Sequence, residues 1–118
     1  MKAGRHYHVV LVTCRTLAEG RLIARSVVSK RLAACVNLVL SPVDSYYTWK
    51  GKLENAREYL LLIKTSAKRL RTLETEVKRL HTYDLPEFLA LPISAGSNEY
   101  LSWLQASITQ PRKKPRYS

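Results

Sequence analysis

Glycine is scarce in this chain, with four among 118 residues and none clustered. Phosphate-cradling loops need closely spaced glycines, so P-loop and dinucleotide-binding chemistry has no place here. There is no Cys-x-x-Cys and no His-Glu-x-x-His, which argues against a closed zinc centre. A Gly-x-Ser-x-Gly nucleophile elbow is also missing, and no nucleophile or base is evident, so the chain is not read as an enzyme. Long apolar runs are missing too. The longest, such as Val9–Val12 and Leu60–Ile63, fall far short of the ~20 residues that cross a bilayer, and no membrane partner is expected. The start, Met1 to His6, leads into a strand-like run without a cleavage-site pattern, so the expected compartment is the cytoplasm.

Acidic residues are few, 9 against 20 Lys and Arg, for a formal charge of +11. Six of the cations lie at the ends: Lys2, Arg5, Arg112, Lys113, Lys114 and Arg116. Basic charge attracts polyanions without identifying a function. Cysteine is limited to Cys14 and Cys35, each beside apolar strand-like sequence, and both are expected as reduced core residues. A thiolate pair suits Cu(I), and thiolate with imidazole suits Cu or Zn, but no short spacing brings such ligands together.

What is present is the composition of a folded domain, 46% hydrophobic and 25% charged. Residues 7–14 read as a strand apolar on both faces, suited to the centre of a sheet. Thr16-Leu17-Ala18-Glu19 fits a capping box opening a helix to about Arg31. From Ala33 to Trp49 the pattern is β, with a bend at Ser41-Pro42, a turn at Lys50-Gly51-Lys52, and a return strand from about Glu54 to Lys64. Thr65-Ser66 reads as the cap of a second helix carrying Leu70, Leu73, Val77 and Leu80 on one face. A loop at 81–86, a last strand at 88–93 and a short C-terminal helix opened by Gly96-Ser97-Asn98 complete one domain over 1–110. A disordered basic tail is expected at 111–118.

This β-α-β-β-α-β order is the split β-α-β arrangement of ferredoxin-like α+β folds. The hairpin strands, about sixteen and eleven residues, exceed the usual ~5–6. Unbroken, the first would reach roughly 50 Å at ~3.3 Å per residue, more than a small domain covers. Pairing with further copies of the chain, closed into a ring, would shield that edge.

The polar groups that stand out are Cys35, Lys64, His81, Tyr83, Asp84 and Glu87. Lys64 ends an apolar strand, as a solvated lysine or as a cation facing an anionic ligand. His81 ends the second helix, where the dipole favours a cation, or where a neutral ring could bind a metal ion. Tyr83, Asp84 and Glu87 flank Pro86 as ordinary loop residues or as a shallow polar pocket. Tyr46, Tyr47 and Trp49 read as interface or core aromatics. No RNA-recognition signature accompanies them. Glu74 and Glu76 interrupt the basic residues of the second helix, which reads as a solvated face, so nucleic acid is not an expected partner.

Together, Val12-Thr13-Cys14, Arg31 to Asn37, Ser45 to Lys52, Ile63-Lys64-Thr65, His81 to Glu87 and Tyr100 to Trp103 resemble the CutA divalent-cation tolerance family, in family order. The resemblance implies a homotrimer paired through the long hairpins and a non-enzymatic role in tolerance of copper and other divalent cations. No cofactor is obligatory, and weak copper or divalent-metal binding is implied. Cys35 and His81 are the ligand candidates, with Lys64, Tyr83, Asp84 and Glu87 lining the cleft. Two other readings stay open: a PII-like signalling trimer holding a small anion between subunits, and a non-specific nucleic-acid binder using the basic surface. The family usually has His-Pro-Tyr-Glu where this chain has His81-Thr82-Tyr83-Asp84. Losing the proline is expected to loosen that loop.

Overall fold

The structure, a computed structural model, describes residues 1–4 and 6–109. The end of the domain at 110 and the basic tail at 111–118 lie outside the described residues.

The expected order is present. Strand β1 (Lys2–Ala3) precedes β2 (Tyr7–Cys14), helix α1 (Leu17–Ser29), β3 (Cys35–Leu38), β4 (Val43–Trp49) and β5 (Lys52–Ser66). A 3-10 turn (Ala67–Arg69), helix α2 (Leu70–Leu80), β6 (Leu89–Pro92), β7 (Ala95–Gly96) and helix α3 (Asn98–Thr109) follow. The main sheet runs β3-β5-β2-β6, all antiparallel, and β4 pairs with β5 beyond it. This is an α+β fold in the split β-α-β order.

Register assigns the two sheet faces. Val10, Val12 and Cys14 stand opposite Ile63, Leu61 and Tyr59, and these pack with Ile23 and Val27 of α1 and Leu73 and Val77 of α2. The alternate residues, Val9, Leu11, Leu60, Leu62 and Lys64, share the other face with Leu89 and Leu91 of β6. There α3 covers only one end, where Leu101, Leu104 and Ile108 pack on Tyr7 and Ala34. Leu89 and Leu91 stay 56% and 46% exposed.

The hairpin differs from expectation in detail. Its first arm is two strands rather than one, because the ladder lapses between Leu38 and Val43 around Pro42. The return strand is longer than expected, fifteen residues, and begins at Lys52. The loop is Lys50-Gly51 alone, with φ of 52° and 79°, the left-handed pair that suits a twisted two-residue hairpin. The outer part projects from the body, and the molecule measures 46 × 27 × 25 Å.

Thr16 caps α1, its Oγ1 accepting from the Glu19 N–H (3.1 Å). Glu19 does not complete a capping box; its carboxylate turns inward to the loop after α2. Thr65 and Ser66 do not cap α2 by side chain. The Thr65 hydroxyl is buried and donates to the Leu32 carbonyl (2.7 Å). Ser97 does cap α3 through the Tyr100 N–H (3.1 Å). The β1–β7 pair was not foreseen, two residues being too short for a periodic signal.

Helices α1 and α2 are tied by Glu76, which is buried. It accepts from Ser26 (2.6 Å), Lys30 (2.9 Å) and Arg79 (2.7 Å). The Arg79 hydrogen bonds, then those of Ser26 and Lys30, hold its carboxyl well below the usual carboxylate range. A depressed carboxyl contributes stability in full above the unfolded value near 4.5 and loses it as pH falls below that. Glu76→Gln should therefore lower the melting temperature at pH 7. In melts taken down a pH series the gap to wild type should close only in strong acid; a constant gap would remove the charge from the explanation.

Candidate functional site

The loop from His81 to Phe88 leaves α2 and crosses the end of β2. His81 caps α2 with its backbone and is buried. Its Nε2 lies 2.7 Å from the Thr13 carbonyl, which can only accept, so that nitrogen carries the proton. Its Nδ1 accepts from the Tyr83 N–H (3.1 Å). Both ring nitrogens are thus engaged by backbone, and this arrangement leaves no lone pair for a metal ion.

Glu19 braces the next residue. One carboxylate oxygen accepts from the Thr82 hydroxyl (2.9 Å), the other from the Thr82 N–H (3.1 Å), and the latter also lies 3.2 Å from His81 Nδ1. A proline at 82 could not donate that N–H. The expected loosening is thereby corrected: this chain replaces the ring constraint with two hydrogen bonds to a buried carboxylate.

Tyr83 lies against His81, ring centroids 4.8 Å apart, and its phenol lies within the electrostatic reach of Glu58 at the base of the hairpin. Burial first, and then Glu58, push the Tyr83 phenol upward. Partial desolvation, then the Glu58 charge, likewise raises the carboxyl of Glu87, a residue that stays largely exposed. Asp84 is exposed. Cys14 is fully buried, and its one thiol proton has two carbonyls within reach, Thr16 (3.4 Å) and Tyr59 (3.7 Å). Burial and the Glu19 charge push its thiol up to about 11.

The remaining candidates lie elsewhere. Cys35 is half-buried on β3, in register with Lys64. Lys64 donates to Asn37 Oδ1, and its ammonium stands 5.9 Å from the centre of the Tyr100 ring. His81 meets β2 at Thr13, whose partner on β5 is Leu60, four residues from Lys64. That is roughly 13 Å at strand rise. So the structure joins His81, Tyr83 and Glu87 around Glu19 and Glu58, and it joins Cys35 with Lys64. Within one chain it brings neither Cys35 to His81 nor Lys64 to the 81–87 loop. Among the described residues no three His, Cys, Asp or Glu side chains come together as a metal-ligand set.

The pairing of Glu19 with Thr82, and Glu58 altogether, escaped the sequence reading. Glu58, a carboxylate at the head of the apolar run Tyr59 to Ile63, was the available signal.

Removing the Thr82 hydroxyl with Thr82→Val should cost about 0.5–1.5 kcal/mol in denaturant unfolding, with most of the loss absent in a Glu19→Ala background. A full loss in that background would dissolve the brace. Because the Cys14 thiol is raised in the fold, its stabilisation is present below pH 9 and lost above it. Cys14→Ala should flatten the decline of stability between pH 9 and about 11 in alkaline melts.

No described helix is long and apolar enough to cross a membrane. Residues 8–107 match the family model described as CutA1 divalent ion tolerance protein. The chain is 46% identical over 99 residues to the Arabidopsis thaliana protein named Protein CutA, chloroplastic, an alignment covering 84% of this chain and 54% of that one. The chain thus spans about half the length of that plant relative. Among solved structures it is similar to the divalent cation tolerance protein of Thermus thermophilus, at 45% identity and a TM-score of 0.81, covering 83% of this chain and 94% of the other. It is similar also to the periplasmic divalent cation tolerance protein CutA of Archaeoglobus fulgidus, at 34% identity and a TM-score of 0.83, covering 86% and 98%. None of these names is that of an enzyme, and with chloroplast and periplasm both among them they do not carry the cytoplasmic expectation. The match over nearly the whole described chain and the shared fold make it a member of the CutA1 divalent ion tolerance family.

Proposed function

We propose that this protein is a non-enzymatic, homotrimeric divalent-cation tolerance protein that takes up copper or another divalent ion weakly at the seams between copies. Membership of the family over residues 8–107 carries the reading, since relatives across bacteria and archaea are named for cation tolerance.

Supporting the trimer, the apolar sheet face and the projecting hairpin leave Leu53, Tyr46 and Leu89 at 74%, 68% and 56% exposure. Covering one such side chain contributes about 1.5–3 kcal/mol. Copies set face to face around a closed ring would remove most of that surface from water.

For the metal, Cys35 remains the proposed soft ligand, and Glu87 beside Glu58 the proposed hard one. Since one chain does not bring them together, coordination is completed across copies. That geometry gives open, weak binding. The PII-like alternative would rest on Lys64, whose ammonium donates to Asn37 and stands near the Tyr100 ring with further donors free for an anion.

Light scattering should give three times the chain mass of 13.5 kDa at micromolar concentration. Calorimetric copper titration should show binding that weakens at least several-fold in Cys35→Ser or Glu87→Gln. A monomeric mass would sink the trimer. Titrations that match wild type in both variants would reject the ligands, and no heat in wild type would reject the metal.

A further inference from the structure

Sequence alone makes the basic residues of the helices look neutralised by interspersed glutamates. The structure confines that neutralisation to Lys30, Lys78 and Arg79. Helices α1 and α2 form the outer layer on the covered face of the sheet, with three glutamates between them: Glu19, Glu74 and Glu76. Glu19 and Glu76 are buried and turned inward, one to Thr82 and His81, the other to the α1–α2 seam. Glu76 alone serves two cations, Lys30 and Arg79, so that group keeps a positive excess. Only Glu74 remains outside, paired with Lys78 (3.1 Å).

Five exposed cations on this layer then have no acidic partner among the described residues: Arg21, Arg25 and Arg31 on and just after α1, and Lys68 and Arg71 at the start of α2. Arg21 and Arg25 are four apart, on one side of α1 and about 6 Å apart along its axis. Four of the five are arginines, whose planar fork of donors matches phosphate oxygens.

We propose that this outer face of α1 and α2 docks the phosphate backbone of duplex nucleic acid, without sequence preference. Two observations select the duplex. Neither helix contains an aromatic residue, and the exposed aromatics Tyr46, Tyr47 and Trp49 stand apart on the hairpin, so the face offers no stacking platform for unpaired bases. The face is also polar, with Leu22 its one large exposed aliphatic, which gives it no apolar wedge for a lipid surface. The apolar sheet face that the trimer reading would cover lies on the opposite side, so docking and assembly do not compete.

The test is fluorescence anisotropy of the full chain with a short labelled duplex of arbitrary sequence, read over a salt series. Wild type should bind with a steep salt dependence. Arg21→Gln/Arg25→Gln/Arg71→Gln should bind at least tenfold more weakly, its salt slope shallower by roughly two to three at about 0.9 per phosphate contact. These side chains are exposed, so the melting temperature should not move, and the Arg→Lys triple variant should retain most of the binding. The proposal is overturned if the Gln variant binds with wild-type slope and affinity. It is also overturned if deleting residues 111–118 alone abolishes binding, which would locate it in the tail, or if a labelled single strand or anionic vesicles bind more tightly than the duplex. Copper titration of the Gln variant should match wild type, so failure here leaves the cation-tolerance reading untouched.

Discussion

One strand organises this molecule. β5, fifteen residues long, is the antiparallel partner of β2, β3 and β4, and only β6 of the main sheet is placed at one remove, through β2. Its inner half is buried and its outer half is exposed, so one uninterrupted ladder carries both the core and the projecting hairpin. A slip of one residue along it would turn Leu61 and Ile63 away from the helices and bring Lys64 among them. The two-residue loop at Lys50-Gly51 fixes the register at one end, and the central pairing with β2 fixes it at the other.

On the helical side, polar ties do work that side-chain volume cannot. Glu76 holds α1 to α2, and Glu19 holds the start of α1 to the loop that follows α2. Both are buried carboxylates with several donors, the condition under which burying a charge is tolerated. They also divide the surface chemistry. By drawing negative charge inward they leave the outer layer basic, while Glu58 and Glu87 concentrate negative character at the hairpin base. The protein is thus polarised between its helical exterior and the mouth beside Tyr83.

The frame was legible because its signals are periodic. The two-faced apolar run at 7–14, the helical stripe of Leu73 and Val77, and the Thr16 cap all read directly onto the structure. What resisted reading was polar and non-local. Glu19 presents the spacing of a capping-box partner, and nothing in the sequence says that Thr82, sixty-three positions away, offers it better donors. Likewise, Cys35 and His81 are chemically suited to one metal ion, yet they attach to different rows and different faces of the sheet. Charge on a helix shows the same limit: Glu76 counts as an exposed acid in sequence and is a buried strut in the fold.

The two thiols illustrate what that geometry permits. Cys14 points into the helix-covered core, whereas Cys35 alternates with Val36, which packs on that core, and so faces the other way. Their β5 partners, Tyr59 and Lys64, are five residues apart. No rotamer joins them, so an oxidising environment cannot crosslink the monomer internally and a reducing one has no internal bridge to break. The fold of the monomer therefore rests on no internal disulfide, whatever the redox potential around it.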